Sequence, residues 1–186
     1  MKKMIFLAAP FFMLFSCNNE KKEDTAAASN TATPNASTTD AKIPQIEITD
    51  AKYTAIGKRS LQSLEKGDIA GMVSDYADTA SYRWNSGDSL MGKKAITDYW
   101  TKRRTQVIDS LKLSQDIWLP VKVNRPQQNE QTGVWLMEWN FVEAKYKNGK
   151  RMAQWTHFLM HFNSADKIDN VIQFIDKAPI NAATGK

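Results

Sequence analysis

The stretch Gly133-Val-Trp-Leu-Met-Glu-Trp-Asn-Phe-Val-Glu-Ala-Lys-Tyr-Lys-Asn-Gly-Lys-Arg-Met-Ala-Gln-Trp-Thr-His-Phe-Leu-Met-His-Phe-Asn163 decides how the rest of the chain is read. Two long β-prone runs flank Asn148-Gly149, the strongest short signal for a two-residue type I′ hairpin. With those two residues as the loop, Lys147 faces Lys150. Counting back pairs Trp139 with Phe158, Met137 with Met160, Trp135 with Phe162 and Phe141 with Thr156. The opposite face pairs Val142 with Trp155, Asn140 with His157, Glu138 with Leu159 and Leu136 with His161. The first face is almost wholly apolar and needs a cover; the second is mixed. This register predicts that Trp135, Met137, Trp139, Phe141, Phe158, Met160 and Phe162 point inward, and that Trp155, His157, Leu159 and His161 point out. Because side chains alternate with period two, a one-residue bulge reverses the assignment.

The cover lies upstream. Asp50 is placed as an N-cap, with Tyr53, Ile56, Leu61 and Leu64 close to one helical stripe. Gly67 can end that helix in αL, and Asp68 can cap a second one carrying Ile69, Met72, Val73 and Tyr76. Thr79 to Trp84 alternates as a short strand ending in the turn Asn85–Asp88, and a third helix follows Gly92 with Ala95, Ile96, Tyr99 and Trp100 on its apolar side. From Ile117 onward the pattern is β: Ile117–Val123, Val134–Lys147, Lys150–Asn163 and Ile168–Asp176, with connections short enough for antiparallel neighbours. Helices first and a β-meander last predict an α+β domain: three N-terminal helices packed on a strongly curved, mostly antiparallel sheet.

Ahead of that domain, Lys2-Lys3 and an apolar run from Met4 to Phe15 have the form of a secretory signal, too short to cross a bilayer, which takes ~20 residues. The run ends in Leu14-Phe15-Ser16-Cys17, which resembles a bacterial lipoprotein box, although Phe15 stands where a small residue is usual. The resemblance implies a signal over 1–16, lipidation (palmitate) of Cys17, and a chain held to the membrane of the bacterial cell envelope, periplasmic or surface-facing on the outer membrane. Residues 18–42 have no large apolar side chain and read as a tether, so 17–42 is lipid attachment plus linker, 43–180 the domain and 181–186 a tail. As a flexible coil the tether spans roughly 25–30 Å. Cys17 is the one cysteine among 186 residues, which excludes an intrachain disulfide and a thiolate metal cluster. The formal charge of +5, two units of it from Lys2 and Lys3, gives no basis for nucleic-acid binding.

Leu64-Glu65-Lys66-Gly67-Asp68-Ile69, Tyr76-Ala77-Asp78-Thr79-Ala80, Gly92-Lys93-Lys94-Ala95-Ile96 and the ending from Phe162 to Ile168 with Phe174-Ile175-Asp176 together resemble the nuclear transport factor 2-like superfamily, which includes the SnoaL-like polyketide cyclases and the ketosteroid isomerases. The resemblance covers about residues 46–178. It implies a cone of helices closed over a bent sheet, with a pocket at the wide end. Steroid isomerases of this fold use a Tyr, an Asp base and a protonated Asp. Those positions fall at Ser60, Trp84 and Phe158, so ketosteroid isomerase chemistry is not expected.

The expected ligand pocket comprises Tyr53, Tyr82, Trp84, Trp100, Trp135, Trp139, Phe158 and Gln173, an aromatic lining with Gln173, whose inward placement the family resemblance implies, as its polar group. His157 and His161 share a strand face about 13 Å apart, too far to ligate one metal, and are expected as surface or interface residues. Trp118 and Trp155 are expected to look outward. Asp98 is placed on the exposed side of its helix, Asp176 at a strand end, and Lys102-Arg103-Arg104 at a solvated helix end. No cofactor motif is present. Three functions remain open at this point: a membrane-anchored domain binding a small apolar or aromatic molecule, an interaction domain dimerising through the outer sheet face, and a cyclase- or isomerase-type enzyme with non-standard acid/base residues.

Overall fold

Asp50 starts the first helix by accepting the Lys52 N–H at 2.8 Å, and the computed structural model, which describes residues 43–185, builds outward from it. The signal, Cys17 and the tether lie outside the described residues. Strand β1 (Ile46–Ile48) precedes α1 (Lys52–Lys66), which Gly67 closes at φ 80°. Asp68 then caps the single turn α2 (Ile69–Met72), its carboxylate accepting the Gly71 N–H at 2.9 Å. Strands β2 (Tyr76–Trp84) and β3 (Ser89–Met91) lead through Gly92 into α3 (Lys93–Lys102) and a π-helical turn over Arg103–Val107. Strands β4 (Ile108–Val123), β5 (Gly133–Tyr146), β6 (Arg151–Phe162) and β7 (Ile168–Phe174) complete the sheet, and α4 (Lys177–Thr184) ends the described chain, running through the boundary drawn at residue 180.

The seven strands lie in the order β1-β4-β5-β6-β7-β2-β3, antiparallel throughout except for β2 beside β7. Leu61, Leu64, Ile69, Met72, Ile96 and Trp100 from the helices pack on Tyr82, Leu136, Phe158, Met160, Phe162 and Val171 from the sheet. A second, smaller cluster of Ile108, Val142, Ala144, Tyr146, Met152 and Ala183, with Ile180 against it, forms where α4 crosses the wide end of the cone. The α+β cone is therefore the observed architecture, with a fourth helix that the pattern of apolar residues did not reveal.

The hairpin register differs from the expectation by one residue. Tyr146 N–H donates to Lys150 O and Gly149 N–H to Tyr146 O, both at 2.9 Å, while Gly149 takes φ 85°. The loop is thus the three residues Lys147–Gly149, a type I turn followed by an αL glycine, instead of a two-residue turn. Trp139 accordingly pairs with His157, Met137 with Leu159, Trp135 with His161, and Glu138 with Phe158. The β6 faces fall as expected, with Phe158, Met160 and Phe162 inward, but β5 is turned over. Trp135, Met137, Trp139 and Phe141 stand on the outer face, while Leu136, Glu138, Asn140 and Val142 are buried inside. The loop residue Asn148 also anchors α4, donating to Ala183 O at 2.8 Å, so the longer turn has a tertiary partner.

A second irregularity turns Trp118. Between Ser114 and Ile117 the β4–β5 pairing shifts at a bulge where Gln115 adopts φ 56°. Trp118 then pairs with the inward Glu138 and packs on α1, where a Cβ on Gly57 would come within 2.7 Å of its ring. It does not look outward as alternation suggested.

Candidate functional site

One transverse row of register partners crosses five strands on the inner face: Trp118, Glu138, Phe158, Gln173 and Trp84, on β4, β5, β6, β7 and β2. Its two polar members flank Phe158 and lie two strands apart, ~10 Å at the usual inter-strand spacing. Phe158 and Trp84 are two of the three positions where isomerase groups were expected. The third, Ser60, is buried with its hydroxyl donating to Met72 O at 2.9 Å.

Gln173 is clamped. Tyr82 Oη donates to Gln173 Oε1 at 2.7 Å and Trp84 Nε1 donates to the same oxygen at 3.0 Å. Because an indole N–H only donates, the atom that it meets must be the amide oxygen, and this fixes the orientation of the side chain. The amide nitrogen is left as a donor with no hydrogen bond among the described residues. Gln173 lines two cavities that share Trp100, Arg103, Ile175 and Ile180. One is an interior void of about 50 Å³ reaching Leu113, Val142 and Phe158. The other is a cleft of about 210 Å³ between α3 and α4 that includes Trp84, Tyr99 and Lys177. Two further donors of these walls, Trp100 Nε1 and Arg103 Nε, are buried without partners. Trp84 lies 4.8 Å from Tyr82 and 5.0 Å from Tyr99, ring centre to ring centre, which makes an aromatic wall. Burial holds the Tyr82 hydroxyl well above its ordinary range, so it stays a donor. Arg103 was expected on a solvated helix end; the π-helical turn instead carries it into the mouth, while Arg104 reaches back to donate to Glu65 O at 3.1 Å.

Glu138 is the group that the expected register hid. It is fully buried, with Asn140 Nδ2 donating to its Oε1 at 2.6 Å, whereas Glu138 Oε2 and Asn140 Oδ1 have no partner. Burial pushes its pKa up to about 8; the Asn140 hydrogen bond opposes the shift and the Asp116 charge adds to it. A cavity of about 100 Å³ between α1 and the β4–β5 pair runs along both side chains. The legible signal was the alternation Leu136, Glu138, Asn140, Val142, which is also a period-two face; the greasier Trp135, Met137, Trp139, Phe141 face outweighed it.

The remaining expected site residues disperse. Tyr53 donates to Asp166 at 2.7 Å at the far end of α1 and lines none of these cavities. Trp135 and Trp139 lie on the outer face, where Ile117, Trp139, His157 and Phe174 form one row across four strands. His157 stacks on Trp139 at 4.4 Å. His161, expected at the surface, is buried between Asp169, 2.6 Å from Nδ1, and the Thr132 carbonyl, 2.9 Å from Nε2. Trp155 is half exposed, as expected. Asp98 is exposed and paired with Lys94, and Asp176 caps α4 through the Ala178 N–H. A larger concavity, about 430 Å³, is an open groove over Lys112, Lys145 and Arg151. None of the buried unpartnered atoms belongs to it, so it is a fold of the surface rather than a built site. Among the described residues no cluster of His, Cys, Asp and Glu is arranged to hold a metal.

No protein-family model matches this sequence, and no curated protein matches it. Solved structures do. A nuclear transport factor 2-like protein of unknown function from Burkholderia pseudomallei superposes with a TM-score of 0.60 at 11% identity, covering 74% of this chain and 100% of that one. A candidate polyketide cyclase from Pseudomonas putida gives 0.58 at 13% identity over 71% and 97%. TerC, co-crystallised with polyporic acid, gives 0.55 at 12% identity over 72% and 98%.

Proposed function

We propose that this chain, whose fold is the nuclear transport factor 2-like cone, is a membrane-tethered domain that binds a small, flat, largely apolar molecule through an oxygen acceptor at the cone mouth. The observation that carries this reading is the Gln173 clamp. Tyr82 and Trp84 occupy the amide oxygen, so the amide N–H₂ is presented beside two more unpartnered donors, Trp100 Nε1 and Arg103. Donors without acceptors inside an aromatic and aliphatic wall complement a carboxylate or carbonyl on a ring system. The 50 Å³ void and the 210 Å³ cleft share lining side chains, among them Gln173, Trp100 and Ile180 of α4. The co-crystal of TerC with polyporic acid supports the view that this fold takes small ligands.

The test is tryptophan fluorescence of the full-length chain titrated with 2-naphthoate. Saturable quenching is expected, with at least about a tenfold loss in Gln173→Glu, which keeps an oxygen for Tyr82 and Trp84 and places a negative acceptor where the donor stood. Equal binding by both proteins would sink the reading. In this reading the anchor is lipid on Cys17 of the lipoprotein box, ahead of the tether over 18–42. Metabolic labelling with palmitate should mark the chain and not its Cys17→Ser variant, and an unlabelled wild type would remove the anchor.

A second reading has its own observation. The outer sheet face carries Ile117, Trp139, Trp155 and Phe174 in rows over four strands, with Trp155 half exposed. Such a patch fits a homodimer interface. Sedimentation of a monomer at all concentrations would rule it out.

A further inference from the structure

We propose that the cavity between α1 and the β4–β5 pair is a second, independent ligand site that takes a small ammonium group on the paired oxygens of Glu138 and Asn140.

Its geometry is the reverse of the cone mouth. Asn140 spends its amide donor on Glu138 Oε1 at 2.6 Å. What remains, Glu138 Oε2 and Asn140 Oδ1, are two oxygens with no partner on side chains that are fully buried, and both are acceptors once the carboxyl is ionised. An unmet buried acceptor costs about 1–3 kcal/mol, more for a charged one, so the pair favours an occupant that brings N–H groups. The cavity is about 100 Å³, larger than the ~30 Å³ share of one water and small enough to exclude anything much beyond a primary amine head. Leu61, Leu113 and Trp118 form its apolar walls, which suits a short alkyl stem.

The charges around Glu138 are compatible with a cation. On α1, Lys58 and Glu65 line the cavity; on β4, Asp116 does. Lys58 is the internal competitor, but its ammonium lies 3.5 Å from Asp116 and 5.9 Å from the Trp118 ring, held at the rim. On β2, the neutral Tyr82 hydroxyl is committed to Gln173. With Lys58 and Asp116 neutralising each other, Glu65 and, once ionised, Glu138 leave an excess of negative charge. Because burial raises the Glu138 pKa to about 8, entry of an ammonium near neutrality displaces the carboxyl proton to solvent, and an ionised carboxylate facing the cation remains. No bond other than O–H is broken.

The experiment is calorimetric titration of the full-length chain with methylammonium chloride from roughly pH 6 to pH 9, in buffers of different ionisation enthalpy. Apparent affinity should rise about tenfold per pH unit below the raised pKa and level off above it, with about one proton released per ammonium bound at neutral pH. Tetramethylammonium, which has no N–H, should not bind. Glu138→Gln should bind at least about tenfold more weakly and lose the pH dependence, while binding of 2-naphthoate stays unchanged. The proposal is overturned if methylammonium fails to bind at any pH, if tetramethylammonium binds equally, or if Glu138→Gln binds as the wild type does. In those cases water alone fills the cavity.

Discussion

The two polar stations of the inner sheet face, Gln173 on β7 and Glu138 on β5, sit on one row with Phe158 between them and have opposite deficits. Around Gln173 the unmet atoms are donors; around Glu138 they are oxygens, both acceptors once the carboxyl is ionised. The cause is local. Tyr82 and Trp84 supply two donors to one amide oxygen, whereas Asn140 supplies one donor to a carboxyl that has two oxygens. The same fold can therefore present either polarity to a ligand, depending on which neighbour on the row completes the first hydrogen bonds.

The comparison breaks most visibly at Glu138. Its pKa is raised, so the folded state holds a proton that the unfolded chain gives up above its ordinary value of 4.5. Stability is full below that value, falls as pH rises and flattens above about 8. Glu138→Gln should consequently be nearly neutral in acid and stabilising by on the order of 3–5 kcal/mol at alkaline pH, read by urea unfolding at several pH values. A variant whose gain does not grow with pH would show Glu138 already ionised in the folded state.

Gln173→Leu should act in the opposite direction. It leaves the Tyr82 hydroxyl and Trp84 indole facing an apolar group, at a cost of about 2–4 kcal/mol with little pH dependence. Thermal melts of Leu and Glu variants separate the two roles, since Glu retains the acceptor. Gly57→Ala probes the acceptor cavity through Trp118, one of its walls. A methyl there meets the Leu136 side chain and the Trp118 ring, so the helix-propensity gain of about 1 kcal/mol should be outweighed, for a net loss of about 1–2 kcal/mol. Methylammonium binding should weaken with it and naphthoate binding should not. The smallest effect belongs to Trp155→Ser on the outer face, within about 0.5 kcal/mol for the monomer by chemical unfolding. A larger loss that grows with protein concentration would report the dimer.

Much of the fold was open to reading from residue pattern. Gly67 and Asp68 punctuate α1 and α2 as their chemistry requires, and the apolar stripes of α1 and α3 bury Tyr53, Leu61, Leu64, Ile96 and Trp100, with Ile56, Ala95 and Tyr99 half-buried. For the site, the structure brings Tyr82, Trp84, Trp100, Phe158 and Gln173 together; the first four sit on strand and helix faces that no turn reversed, and Gln173 was legible only through the family resemblance. Trp135, Trp139 and Trp118 do not, since each lies beyond an irregularity, the three-residue loop at Gly149 or the bulge at Gln115. Helix α4 escaped notice because it is short and its stability comes from the cluster under it and from Asn148, Lys150 and Gln154 at its ends.

By itself, then, the sequence determined the α+β class, the caps at Gly67 and Asp68 and the main strands of the meander, because helical and strand periodicity and capping chemistry act over a few residues. Only the tertiary structure decided which face of β5 points inward. Two turns that both accept Asn-Gly differ by one residue, and side chains alternate with period two, so a choice made at Lys147–Gly149 exchanged two tryptophans for a glutamate and an asparagine in the interior.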